Sequence, residues 1–123
     1  MKEKSQKILI VDDSSLFVNR LTALLRESGA TDEIFIAGTY DGAMHHIADI
    51  QPDLIFLDIH LQKKSGIDLL KVIRLSGWKG KVIMLTNETK KAYRIQCERF
   101  GSFGYLDKSN DFETIPGLIR ELA

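Results

Sequence analysis

The pair Asp12–Asp13 directly follows the apolar run "ILIV". Adjacent carboxylates repel, so such a pair sits comfortably only with water, a helix N-terminus or a bound cation. Asp58 follows "LIFL", Thr86 follows "VIML", and Lys108 follows "GYLD". Together these are three carboxylates, a hydroxyl and an ammonium. They supply oxygen ligands for a hard divalent cation, a carboxylate nucleophile and donors for phosphoryl oxygens. Because each lies at the end of an apolar run, the elements that carry those runs decide whether they meet.

The runs "KILIV", "EIFIAG", "LIFLD", "KVIMLT" and "FGYLDK" have strand length and are rich in β-branched and aromatic residues. Helical stretches separate them. Ser14 or Ser15 can cap a first helix with Phe17, Leu21, Leu24 and Leu25 on one face, stopped at Gly29. Asp41 can cap a second, carrying Ala43, Ile47 and Ile50 and ending before Pro52. Ser65 can cap a third with Leu69, Leu70 and Ile73 inward and Lys71 and Arg74 outward. Thr86 to Glu88 open a fourth, and a short fifth after Pro116 carries Leu118, Ile119 and Leu122. Five β-α units with nearly continuous apolar strands predict an α/β fold, a doubly wound three-layer α/β/α sandwich around a five-stranded parallel sheet. In such a sheet the strand C-termini share one edge, where ligands bind, so the five polar residues are expected to converge there.

The chain length, with 44% hydrophobic residues, suits one domain spanning 1–123 with no appended output domain. Lys plus Arg equals Asp plus Glu at 17 each, which gives no global field to draw in nucleic acid or an anionic membrane. "MKEKSQK" has no long apolar run of the kind a leader or membrane insertion needs, and the single Cys97 cannot form an internal disulfide. A soluble, cytoplasmic protein is expected. Cys97, among apolar neighbours, reads as a small buried hydrophobe.

The segments "VDDSS", "LIFLDIHLQKKSG", "MLTNE" and "GYLDKS" resemble, in order and over essentially the whole chain, the receiver domain of two-component response regulators. The resemblance implies a flavodoxin-like topology with strand order 2-1-3-4-5. It implies that Asp58 accepts a phosphoryl group from the phosphohistidine of a sensor histidine kinase or a histidine phosphotransfer protein. Asp12, Asp13, Asp58 and the backbone carbonyl of His60 then hold Mg²⁺ (or Mn²⁺). Lys108 contacts the phosphoryl oxygens, Thr86 closes onto them, and Tyr105 turns inward as the aromatic switch. The same resemblance implies an unidentified downstream protein target, with no direct nucleic-acid contact.

Each residue also has a plainer reading. Asp12 and Asp13 could cap the first helix, Asp58 could serve a turn, Lys108 could be a surface lysine, Thr86 could cap the fourth helix and Tyr105 could be core. His45 and His46 point about 100° apart on a helix, which makes joint ligation awkward. The chain departs from the family pattern at Gln62, where a proline is usual, and at Asn87, where a small residue is common. Bulky His60 and Asn87 are expected to slow both phosphorylation by small donors and hydrolysis, and Glu88 also stands where the family tunes phosphoryl lifetime. The fourth helix is weakly amphipathic, with Tyr93, Cys97 and Phe100 on one stripe and Ala92 and Ile95 on another. That suits a switching element, and the fourth helix, fifth strand and fifth helix are expected to form a partner face exposing Lys90, Lys91, Arg94 and Tyr105.

Alternatives are a phosphorelay intermediate or phosphate sink, a Mg²⁺-dependent phosphohydrolase and a scaffold that takes no phosphate. A hydrolase of the haloacid-dehalogenase type would need a carboxylate acid/base where His60 stands. Flavin binding is disfavoured by the acidic first loop.

Overall fold

The computed structural model describes residues 6–31 and 33–122, so most of the segment read for a leader lies outside the described residues. Five strands alternate with five helices: β1 (Lys7–Val11), α1 (Ser15–Ser28), β2 (Glu33–Ala37), α2 (Tyr40–Ile50), β3 (Leu54–Leu57), α3 (Gly66–Leu75), β4 (Lys81–Thr86), α4 (Lys91–Arg99), β5 (Gly104–Asp107) and α5 (Ile115–Leu122). All pairings are parallel, in the order β2-β1-β3-β4-β5. The fold class and strand order read from the sequence are those of the structure.

Strand side chains alternate between two cores, as a pleat of period two requires. Ile8, Ile10, Leu54, Phe56, Ile83 and Leu85 pack with Phe17, Leu21 and Leu25 of α1 and Ile115 and Ile119 of α5. Leu9, Val11, Ile55, Leu57, Val82 and Met84 pack on the other side with Ala43, Ile47, Leu69, Leu70, Ile73 and Cys97. Each such aliphatic side chain contributes about 1.5–3 kcal/mol by leaving water. Covering both faces fixes the strands, and their register places the residues at their C-terminal ends. Val11 pairs with Leu57 and Leu57 with Met84. Asp12 and Asp58, each one residue past a paired position, therefore come side by side at the C-terminal edge.

The ends of α1 are as read: of the two serines offered, Ser14 is the cap, its Oγ accepting the Phe17 N–H, and Gly29 closes the helix at φ 71°. Other helix ends differ. Thr39, not Asp41, caps α2, because its hydroxyl reaches the Gly42 N–H; Asp41 lies in the first turn, where its charge still suits the helix dipole. Thr86 ends β4, residues 87–90 form a loop, and α4 begins only at Lys91 with no side-chain cap. Helix α5 starts at Ile115, with Pro116 inside its first turn, where no N–H is needed, after a 3₁₀ turn at Phe112–Thr114. Arg74 does not point outward: its guanidinium donates to the Gly80 carbonyl and stacks on Trp78.

Candidate functional site

At the C-terminal edge the Lys108 ammonium lies between two buried carboxylates. Its Nζ is 2.7 Å from Asp12 Oδ2 and 2.9 Å from Asp58 Oδ2. Asp12 is 4% and Asp58 7% exposed. One cation thus serves two buried anions and leaves a net negative charge in a desolvated place. Burial pushes the Asp12 carboxyl above its ordinary 3.8, outweighing the opposing bonds from Lys108 and the Ser14 N–H. Burial works against the Lys108 ammonium, but its bonds to Asp12 and Asp58 prevail and raise its pKa.

Neighbouring elements hold these groups in place. The Asp58 amide donates to the Val11 carbonyl and the Asp12 amide to the Ala37 carbonyl, which continues the ladder by one residue. The His60 N–H lies 3.3 Å from Asp58 Oδ1. Lys108 is set by its own N–H on the Thr86 carbonyl and by the Phe17 ring, 4.6 Å below Nζ. The loop beyond it is closed by Asp107, whose N–H donates to Asp111 and whose carboxylate accepts the Ser109 and Asn110 N–H groups. Asp107 and Asp111 were not among the sequence candidates; a carboxylate at each end of the five-residue stretch "DKSND" is the signal that could have found them.

Asp13 faces solvent on the rim beside Asp12, and His60 follows Asp58 by two residues with its ring exposed. Thr86 is buried at the end of β4, and its Oγ1 accepts the Glu88 N–H at 3.2 Å. Glu88 ties several parts together: Oε1 lies 3.0 Å from His60 Nε2, Oε2 accepts the Lys90 N–H, and its carbonyl accepts the Tyr105 hydroxyl at 2.8 Å. The Lys90 N–H and then the His60 imidazole hold the Glu88 carboxyl below the usual carboxylate range. The sequence reading put Tyr105 among the exposed residues of the partner face. The structure places it partly buried, with its hydroxyl anchored and its ring 5.4 Å from the Arg94 guanidinium. Burial pushes the phenol up to about 12.

The β3–α3 loop folds back on itself. His60 and Ser65 form an isolated bridge, and the Gly66 N–H donates to the Ile59 carbonyl at 2.6 Å. This pairing shapes the turn around Gln62 without the family's proline.

Among the described residues no three acidic, imidazole or thiolate groups converge as a closed cation cage. Mg²⁺ needs no such cage, because it retains several waters and takes one or two carboxylates. The excess negative charge of Asp12 and Asp58, with Asp13 open at the rim, is chemistry that fits it. Asp12→Asn should therefore raise the unfolding free energy by about 1 kcal/mol in EDTA at neutral pH. With its folded pKa raised, Asp12 detracts from stability only as pH rises through that value, so the gain should vanish below 3.8. Urea unfolding at pH 7 and pH 3.5 checks this; an equal gain at both would assign it to something other than charge.

The response regulator receiver domain family matches residues 8–120. The chain belongs to that family. Response regulator protein PmrA of Pseudomonas aeruginosa is 32% identical over 117 residues, which are 95% of this chain and 52% of that protein. Transcriptional regulatory protein YvfU of Bacillus subtilis is 26% identical over 94% of this chain and 58% of its own length. The chain spans about half the length of these curated relatives. Among solved structures, a two-component response regulator from Clostridium difficile superposes with TM-score 0.87 at 26% identity, covering 95% of this chain and 94% of that one. The receiver domain of NarL from Mycobacterium tuberculosis superposes at 0.88 with 20% identity, a likeness of fold, covering 97% of this chain and 96% of that one. Receiver domains are signalling phosphoacceptors. Among the described residues of this receiver domain, no helix is long and apolar enough to cross a membrane.

Proposed function

We propose that this receiver domain takes a phosphoryl group onto Asp58 from the phosphohistidine of a sensor histidine kinase or phosphotransfer protein, and signals by changing its α4–β5–α5 face. The observation that carries this reading is the buried Asp58 carboxylate held 2.9 Å from Lys108 and beside Asp12 at the strand edge. A carboxylate oxygen of Asp58 attacks phosphorus, the P–N bond breaks, and the bonding pair leaves with the donor imidazole. Lys108 is placed to move from the carboxylate to the incoming phosphoryl oxygens without crossing water. Asp12, Asp13, Asp58 and the His60 carbonyl would hold Mg²⁺ or Mn²⁺, which when bound supplies charge neutralisation between carboxylates and phosphoryl oxygens. The Thr86 hydroxyl, released from the Glu88 N–H, serves the phosphoryl group, and the Tyr105 anchor on Glu88 responds because both bonds end on one residue.

Intact mass after incubation with Mg²⁺ and a phosphohistidine donor, acetyl phosphate or phosphoramidate tests the reading. One hydroxylamine-labile phosphoryl group per chain is expected. Steady release of phosphate over many turnovers from a phosphomonoester would instead favour the phosphohydrolase. No adduct from any donor would favour the scaffold.

Asn87 is exposed and lines, with Phe17 and Lys108, the hollow leading to the site. Asn87→Ala should speed both acetyl phosphate labelling and hydrolysis, each by about threefold to tenfold, since about 1 kcal/mol of steric barrier corresponds to such a factor. Unchanged rates would remove Asn87 as a gate.

Only Cys97 of α4 is fully buried, so this helix is weakly tied. Its amide exchange should change severalfold on adding a phosphoryl analogue, and equal protection with and without it would contradict the switching role.

A further inference from the structure

The neutral total hides a division of charge. Residues 59–103 carry ten Lys and Arg against Asp68, Glu88 and Glu98, a surplus of seven positive charges balanced by the rest of the chain. At the end of this region far from Asp58, the last turns of α3 and α4 meet: Lys71 Nζ lies 4.4 Å over the Phe100 ring, and Arg74 packs close to Gly101. Leu75 there is 88% exposed and Phe103 54%, with Val72 also exposed and Lys81 Nζ 5.5 Å over the Phe103 ring. Lys79, in the loop between α3 and β4, and Arg99, at the end of α4, are exposed. An apolar centre rimmed by lysines is the arrangement of a docking surface, with charge that steers and apolar side chains that hold.

We infer that this surface, formed by the C-terminal ends of α3 and α4 with the start of β4, docks an acidic amphipathic segment of a partner protein. A nucleic-acid backbone gains nothing by covering Leu75 and Phe103, which the apolar face of such a segment buries. A second copy could place its acidic side here, but that contact is heterologous and does not close, so it would build open chains. The surface lies away from Asp58, so docking does not depend on the phosphoacceptor reading.

Trp78, the single tryptophan, stacks on Arg74 beside the surface and reports binding by its emission. The probes are a 16-residue helical peptide of Glu and Leu with leucines on one face, a poly-glutamate of equal charge, and a 16-base-pair DNA duplex. The amphipathic peptide is expected to bind at least fivefold more tightly than poly-glutamate or DNA, and more weakly as salt rises. Lys71→Glu with Lys81→Glu should weaken it about tenfold or more. Leu75→Ser should weaken it severalfold while leaving poly-glutamate binding unchanged, and Arg26→Glu on α1 should bind like wild type. Asp58→Asn should also bind like wild type, which separates failure here from failure of the phosphotransfer reading. Tighter binding to the duplex, salt-sensitive self-association in its place, equal affinity for peptide and poly-glutamate, or indifference to Leu75→Ser would each overturn the proposal.

Discussion

Lys108→Met should cost about 3–5 kcal/mol of unfolding free energy at pH 7 without divalent cations, the range for leaving buried charges unpaired. Methionine keeps the apolar stem that passes over Phe17 but removes the only ammonium among the described residues within 3 Å of Asp12 and Asp58. The two carboxylates then face each other in a desolvated edge, and both must bind protons more tightly when folded than when unfolded. For carboxyls raised in this way, stability is full below the unfolded pKa and is lost as pH rises through the folded value. The penalty should therefore shrink markedly by about pH 4 and should also shrink when millimolar Mg²⁺ replaces the lost charge. Urea unfolding at two pH values, with EDTA and with Mg²⁺, reads all three. An equal loss in every condition would assign the damage to packing. Phosphotransfer to the variant should fall about a hundredfold, since a positioned donor to phosphoryl oxygens is lost.

Gly66→Ala is expected to do comparable damage by a steric route. A Cβ at Gly66 would stand 1.9 Å from the Asp58 carbonyl oxygen and 2.8 Å from its carbon, both backbone atoms that cannot swing aside. Either α3 must back away from the sheet or the chain at Asp58 must shift. The first opens the core around Ile67, Leu69 and Leu70, and the second moves the carboxylate off Lys108. A loss of about 3 kcal/mol or more is expected. Labelling should also drop well beyond what the unfolded fraction explains, because a displacement near 1 Å at a reacting atom costs about a hundredfold. Labelling per folded molecule, with the folded fraction from circular dichroism, separates the two. A stable variant that labels normally would show that this close packing does not set Asp58.

The fold was legible because its main signals are local. Continuous apolar runs such as "LIFL" and helices capped by Ser14 and Ser65 leave little room for another α/β arrangement. The convergence of Asp12, Asp58 and Lys108 came with that topology, because parallel strands bring their C-termini to one edge. What was not legible depends on contacts between distant loops. Glu88 binds His60, Tyr105 and Thr86 at once, and no spacing rule announces such a set. Tyr105, expected among the exposed residues of the partner face, is covered by the Glu88 carbonyl and Arg94, contacts from outside its own strand. The start of α4 was misplaced because Thr86 has the chemistry of a cap, and its hydroxyl does accept the Glu88 N–H, yet the chain turns helical only at Lys91. Gly66, a glycine beside a capping serine, has the sequence signature of an ordinary turn, whereas its role is the missing Cβ against Asp58. Counting charge over the whole chain likewise concealed the basic α3–α4 region.

The most direct test of the central proposal locates the phosphoryl bond. The protein is labelled with a phosphohistidine donor and Mg²⁺, reduced with borohydride and digested, and the peptide containing residues 54–63 is sequenced by mass spectrometry. An acyl phosphate on Asp58 is reduced to homoserine, so conversion at position 58, absent from unlabelled protein and from Asp58→Asn, is the expected result. Conversion at Asp12 or Asp13 instead, or labelling that persists in Asp58→Asn, would contradict it.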